Sequence, residues 1–117
     1  MLKIYFENDS ERREIESRDR GCRLDVLVES NGKYYEPIIN TVERLVQEAQ
    51  EAFSKKEVYF LDPCQILVRE ASKALIIESI VALHKDGYFK HFTEINLSKY
   101  NNISKRLTNI NNWTRIY

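Results

Sequence analysis

Cys22-Arg23-Leu24-Asp25-Val26-Leu27-Val28-Glu29-Ser30-Asn31-Gly32-Lys33-Tyr34-Tyr35-Glu36-Pro37-Ile38-Ile39, running straight into Asn40-Thr41-Val42-Glu43-Arg44-Leu45-Val46, is the stretch that decides the fold. Its first part alternates. Leu24, Val26 and Val28 fall on one face and Asp25, Leu27 and Glu29 on the other, the period of a strand with one buried side. Asn31-Gly32 suits a type I′ turn, whose two positive φ angles match the twist of a hairpin. Lys33 to Ile39 then returns as the second strand, stopped at Pro37 or soon after it. At Asn40 the period changes: Val42, Leu45, Val46, Ala49, Ala52 and Phe53 recur at three and four, which predicts a helix over about 40–55 with its apolar stripe packed on the sheet. Asn40 is placed to cap that helix, with Glu43 reaching back as in a capping box, and Glu51 and Lys55 make an i,i+4 pair. A hairpin feeding an amphipathic helix indicates an α+β domain.

Working outward toward the start, Leu2, Ile4 and Phe6 alternate with polar neighbours as a half-buried strand. Glu11 to Ser17 has Ile15 as its only aliphatic residue, so it is expected to pair back as a polar, solvated or edge strand. That gives a hairpin near residues 2–17 beside the one at 22–39. Toward the other end, Asp62-Pro63 breaks the chain and a short buried strand is expected near 65–69. Ser72 caps a second helix over about 72–86, and Gly87 takes its left-handed C′ position. Its apolar residues, Ala74 to Ile77, Ile80, Val81 and Leu83, exceed a narrow stripe, so it is wrapped on more than one side. A strand is expected at Tyr88 to Phe92. Six asparagines fall in residues 96–117. There Leu97, Tyr100, Ile103, Leu107 and Ile110 have the spacing of a third helix, whereas Trp113, Ile116 and Tyr117 suit an extended arm docked by its anchors. Both conformations stay open.

The chain of 117 residues, 43% hydrophobic and 31% charged, fits one compact domain, residues 1–117, with one core. The segment Met1 to Glu7 has no apolar run of signal-peptide length, and no later segment reaches the ~20 apolar residues of a membrane span, so a cytoplasmic protein is expected. Cys22 and Cys64 read as free, part-buried thiols. The net charge is zero, but residues 1–70 carry 15 Asp/Glu against 11 Lys/Arg and residues 71–117 carry 3 against 7, or −4 and +4. A zero total gives no general pull toward nucleic acid, while an acidic front can steer a basic partner.

No catalytic, cofactor-binding or metal-ligating set emerges. His84 and His91 are separated by the helix-ending Gly87 and do not form a ligand pair on one helix face. Cys64 has no histidine near it in sequence, and the three glycines stand alone at turns rather than in a phosphate loop. Asp25 and Glu29, with Glu36 opposite, are candidate paired carboxylates for Mg²⁺ or acid–base work, though such residues more often form the solvated face of an antiparallel sheet. In the tail, Lys99, Lys105, Arg106 and Arg115 interleave with Tyr100 and Trp113, too sparse a set for a nucleic-acid groove. The residues singled out as a partner-binding face are Glu43, Gln47, Glu48 and Glu51 on the outer side of the first long helix, with Tyr34 and Tyr35 as aromatic anchors.

Tyr34-Tyr35-Glu36-Pro37 leading into that helix, Asp62-Pro63-Cys64-Gln65-Ile66-Leu67-Val68, Ile77-x-x-Ile80-x-x-Leu83 and Gly87-Tyr88-Phe89 give residues 33–92 a texture that resembles the small immunity proteins of bacterial contact-dependent growth inhibition systems. The resemblance implies a protein that stays in the producing cell. It implies no catalysis and no cofactor, but occlusion of the active site or an essential surface of a cognate toxin, often a nuclease C-terminal domain. It carries over no interface residue. The alternatives are a small enzyme using the sheet carboxylates, and an oligomeric accessory subunit that binds a non-toxin protein.

Overall fold

The computed structural model describes residues 1–95 and 113–117. In chain order these form β1 (Leu2–Phe6), α1 (Glu11–Arg20), β2 (Cys22–Arg23), β3 (Val26–Ser30), β4 (Lys33–Tyr35), β5 (Ile38–Thr41) and α2 (Val42–Ser54). They continue with β6 (Gln65–Val68), α3 (Lys73–Lys85), a 3₁₀ turn (Tyr88–His91) and β7 (Thr114–Arg115). The fold is α+β: among the described residues, three helices accompany two sheets, one four-stranded and antiparallel in the order β4-β3-β1-β7, the other three-stranded and mixed in the order β2-β5-β6.

The alternation of β1 buries Leu2, Ile4 and Phe6 against Val26 and Val28 of β3, its antiparallel neighbour. β3 turns into β4 through Asn31 (φ 53°) and Gly32 (φ 82°), the two positive angles that the Asn-Gly pair predicts. Two expected features of this sheet are corrected. Glu11 to Ser17 does not pair back on β1; it begins α1, and the edge of β1 is taken instead by β7. The helix needs no apolar stripe because its ends are well made. Ser10 accepts a hydrogen bond from the Arg13 amide at 3.1 Å, Glu11 and Glu14 sit in the first turn, Arg18 and Arg20 in the last, and Gly21 closes it at φ 71°.

The second correction concerns the strand expected across residues 22–29. It is broken at Leu24-Asp25, where the chain crosses from one sheet to the other: Cys22 and Arg23 pair with β5, whereas Val26 onward pairs with β1. Leu24 is exposed as a result. The returning strand divides in the same way, with β4 ending at Tyr35 and β5 resuming after Pro37 in the smaller sheet. β6, expected from Ile66-Leu67-Val68, runs parallel to β5 and buries Ile66 and Val68 while Leu67 is exposed. Ile39, Ile66 and Val68 join β1, β3 and the buried Ile76 and Ile80 of α3 in one core. Full burial of an aliphatic or aromatic side chain stabilises by roughly 1.5–3 kcal/mol, so this cluster is the main source of stability.

β3 was expected to have one buried side, yet Leu27 is as fully buried as Val26 and Val28. Its face carries a second cluster in which Ile95 and Trp113 cover Leu27, flanked by Tyr5 and Tyr34. Trp113 and the half-buried Ile116 thus act as anchors of the chain end, with the Ile116 amide donating to the Ile4 carbonyl at 2.9 Å. The helix considered for Leu97 to Ile110 lies outside the described residues. α3 begins at its Ser72 cap as expected and Gly87 takes φ 69°, but in place of the strand expected at Tyr88 to Phe92 the chain forms the 3₁₀ turn Tyr88–His91. The turn stacks Phe89 and Phe92 on Tyr35, with ring centroids 5.3 and 6.4 Å away.

Candidate protein-interaction face

Among the described residues α2 is the most amphipathic helix, yet none of its residues is buried. Its cap is Thr41, whose hydroxyl accepts from the Arg44 amide at 3.2 Å. Asn40, expected in that role, is held within β5 between Cys22 and Leu67, so its backbone is committed to the ladder. The apolar stripe was expected to pack on the sheet. It does so only along one flank, where Leu45, Ala49 and Ala52 are half-buried, while Val42, Val46 and Phe53 are exposed.

The rotation has a polar cause. Arg44 and Glu48, one turn apart, bond at 2.9 Å, and Glu48 also accepts from the Tyr59 hydroxyl at 2.9 Å and from the Asn40 amide at 3.5 Å. The Asn40 side chain is buried beneath the helix, with its Oδ1 unpartnered among the described residues. This network fixes the side of α2 that bears Arg44 and Glu48 toward the sheet, which turns the stripe's centre outward by roughly a quarter turn. The hydrogen bond to Glu48 raises the Arg44 pKa, and burial, then Glu48, raises that of Tyr59, so both hold their protons.

The six residues singled out from the sequence therefore divide. Glu43, Gln47 and Glu51 are exposed on α2, Glu43 next to Val46 and Glu51 on the far side of the helix from Phe53; Glu51 reaches Lys55 at 3.4 Å, as the i,i+4 spacing predicted. Glu48 is tied inward. Tyr35 is a core residue in the 3₁₀ cluster, and Tyr34 lies on the outer face of the larger sheet opposite Glu29, where it also bridges to Ile95. The Glu29 carboxylate, followed by burial, pushes the Tyr34 pKa up to about 12. The two tyrosines and α2 do not form one face. What the sequence missed is the set that does: Val42, Val46 and Phe53, whose helical spacing signalled a stripe without telling which part of it is covered.

The carboxylates considered for chemistry are held by separate partners. Asp25 receives the buried Arg23 Nε at 2.9 Å and the Asn8 amide at 3.0 Å, while Glu29 pairs with Lys3 at 3.4 Å. Glu36 lines a cleft of about 480 Å³ with Pro37, Pro63 and the buried Cys64, whose Sγ lies 3.9 Å from the Thr93 carbonyl; neither histidine borders it. His84 bonds Ser30 Oγ through Nδ1 at 2.7 Å, and His91 stacks edge-on with Tyr88. Among the described residues no group of three or more His, Cys, Asp or Glu is placed to hold a metal ion. No helix there is long and apolar enough to cross a membrane. No family model matches the chain, and no curated protein or solved structure is significantly similar to it.

Proposed function

We propose that this chain is a cytoplasmic immunity protein that binds and neutralises a cognate bacterial toxin, with the outer face of α2 as its contact surface. The observation that carries this reading is the exposed strip Val42, Val46 and Phe53, bordered by the polar Glu43 and Gln47. An uncovered apolar strip on an otherwise well-packed domain suits a protein partner, because its desolvation supplies affinity. The strip's polar border is mixed in charge, with Glu43 among Arg18, Arg20, Arg44 and Arg69 and Glu51 paired with Lys55, so the apolar strip rather than net charge supplies the affinity. A nuclease domain is the toxin class that the resemblance to immunity proteins implies. Occluding such a domain requires no catalytic group, cofactor or metal on this chain.

The test is recovery of the tagged protein from its native cell lysate at moderate salt, with mass spectrometry of what stays bound. A C-terminal fragment of a large toxin is the expected result. A partnerless protein from cells that make the toxin overturns the reading and favours self-assembly or an enzyme. The face is tested separately by Val46→Ser combined with Phe53→Ser, which weakens capture of the partner; unchanged capture removes α2 from the interface.

A further inference from the structure

From Val42 to Pro63 the chain carries α2 across the parallel pair β5 and β6, and no residue along it is buried. It covers the face of the smaller sheet turned away from the core. Ile39 and Ile66 point into the core, so by strand alternation and pairing Cys22, Ile38, Asn40, Gln65 and Leu67 belong to the opposite face, beneath α2. Of these five only Asn40 is buried, and it is polar. α3, by contrast, sinks Ile76 and Ile80 wholly into the core.

What closes α2 on the sheet is one carboxylate. Glu48 bonds Arg44 on its own helix, the Asn40 amide on β5 and the Tyr59 hydroxyl on the returning chain. Leu45, Ala49 and Ala52 add half-buried apolar contact. The closed form also carries a cost, because the buried Asn40 Oδ1 has no partner among the described residues and regains water on opening. The two ends are firmer. The Thr41 amide donates to the Gly21 carbonyl at 2.8 Å, and the Cys64 carbonyl accepts from the Ile38 amide at 3.0 Å.

We propose that residues 42–63 form a strap that swings off the smaller sheet as one unit, about Thr41 and Pro63, while both sheets and α3 stay folded. Opening frees a complete surface: Leu45, Ala49 and Ala52 join Val42, Val46 and Phe53 in a full stripe at the three-and-four spacing that a helix-binding groove reads. A free helix of 13 residues is marginal in water, so in the open form its amides exchange with solvent, and a groove that takes the whole stripe re-forms it. The opening is a property of the chain alone and holds whatever the partner is.

Native-state hydrogen exchange of the full chain, followed residue by residue by NMR at low urea, tests the strap. After correction for intrinsic rates, the amides of Val46 to Ser54 should share one opening, at least about a hundredfold more frequent than that of Ile77 to Leu83 in α3 and with a shallower urea dependence, because it exposes less surface. Glu48→Gln keeps the shape but loses the charge that binds Arg44 and strengthens the Tyr59 bond. It should speed exchange in α2 about tenfold and leave α3 unchanged. Tyr59→Phe, which deletes only the hydroxyl, should act the same way by about fivefold. Exchange of α2 with the rate and urea slope of α3 overturns the proposal, because both helices would then open only by global unfolding. A fast α2 that ignores both substitutions overturns it as well, since Glu48 would then hold nothing.

Discussion

Arg23 and Arg44 each anchor a polar network, but the two are built to opposite effect. The Arg23 side chain is 1% exposed, with its guanidinium carbon 3.9 Å from the centroid of the Phe6 ring. Nε bonds Asp25 at 2.9 Å, Nη1 bonds Glu14 at 3.3 Å and Nη2 bonds the Asn8 carbonyl at 2.7 Å. Glu14 in turn accepts from the first amide of α3, that of Lys73, at 2.9 Å, and so joins α1 to the start of α3. Arg44 is 36% exposed, and its Nε meets Glu48 alone. The first cluster closes a core on all sides; the second grips a helix by its polar flank and leaves the apolar one outside. Charge inside this molecule is architecture, whereas charge at its α2 end decides which surface is offered to a partner.

The largest effect should come from breaking the closed cluster. Arg23→Ala leaves Asp25 and Glu14 with no guanidinium in a buried setting, a loss of about 3–5 kcal/mol. Denaturant unfolding measures it. Arg44→Ala removes a half-exposed ion pair and should cost under about 1 kcal/mol. Equal losses from the two substitutions would break the comparison, by showing that the Glu48 network bears as much of the fold as the Arg23 one.

Gly21 sits where the two regions meet, as the left-handed end of α1 and as the neighbour of the α2 cap. A Cβ there would lie 2.6 Å from the Thr41 hydroxyl oxygen, on a backbone at φ +71°. Gly21→Ala therefore costs about 2 kcal/mol, from the left-handed penalty together with a disturbed cap. Thr41→Ala alone should cost about 1 kcal/mol. In the Thr41→Ala background the glycine substitution should cost less than in the wild type, because the closest clashing atom is gone; strict additivity in thermal unfolding would mean that the cap and the left-handed turn are independent.

A pH series separates the covered outer face of the larger sheet from α2. The Tyr34 pKa rises from 10.0 to about 12 beside Glu29, so the folded state favours the protonated phenol. Its contribution is fully present below pH 10 and is lost as pH climbs to about 12. Tyr34→Phe should flatten part of the fall in stability over that window, measured by urea midpoints. A fall of unchanged steepness would assign it to Tyr35 and Tyr59, whose pKa values burial also raises.

The elements that could be read from the sequence are those whose own residues decide them. β1, the Asn31-Gly32 hairpin and α3 carry a period together with a turn or cap residue, and they fold as the pattern says. α1 carries no apolar period, and its helical signals lie at its ends: Ser10, the acidic first turn, the basic last turn and Gly21 together mark a capped helix. The division into two sheets was not legible at Leu24, whose place in the alternation was overridden by the bonds of Arg23 and Asp25 to residues far away in sequence. The candidate face shows the same limit. Spacing identified an apolar stripe on α2, but its covered side depends on Asn40 and Tyr59, which lie off the helix.

The smallest effect is also the most discriminating for that face. Val46→Ser and Phe53→Ser lie at exposed positions, and serine, valine and phenylalanine have similar helix propensities. Each should change stability by no more than about 0.5 kcal/mol. Ile76→Ala, in the core beneath α3, should cost about 2–5 kcal/mol by removing buried methyl groups and leaving a cavity. Thermal unfolding of the three variants side by side decides whether the α2 stripe belongs to the fold or to a partner. If Val46→Ser costs as much as Ile76→Ala, the stripe is packed in solution and cannot be a free contact surface. If it leaves stability unchanged but weakens capture of the partner, the energy of that stripe is spent on binding rather than on folding.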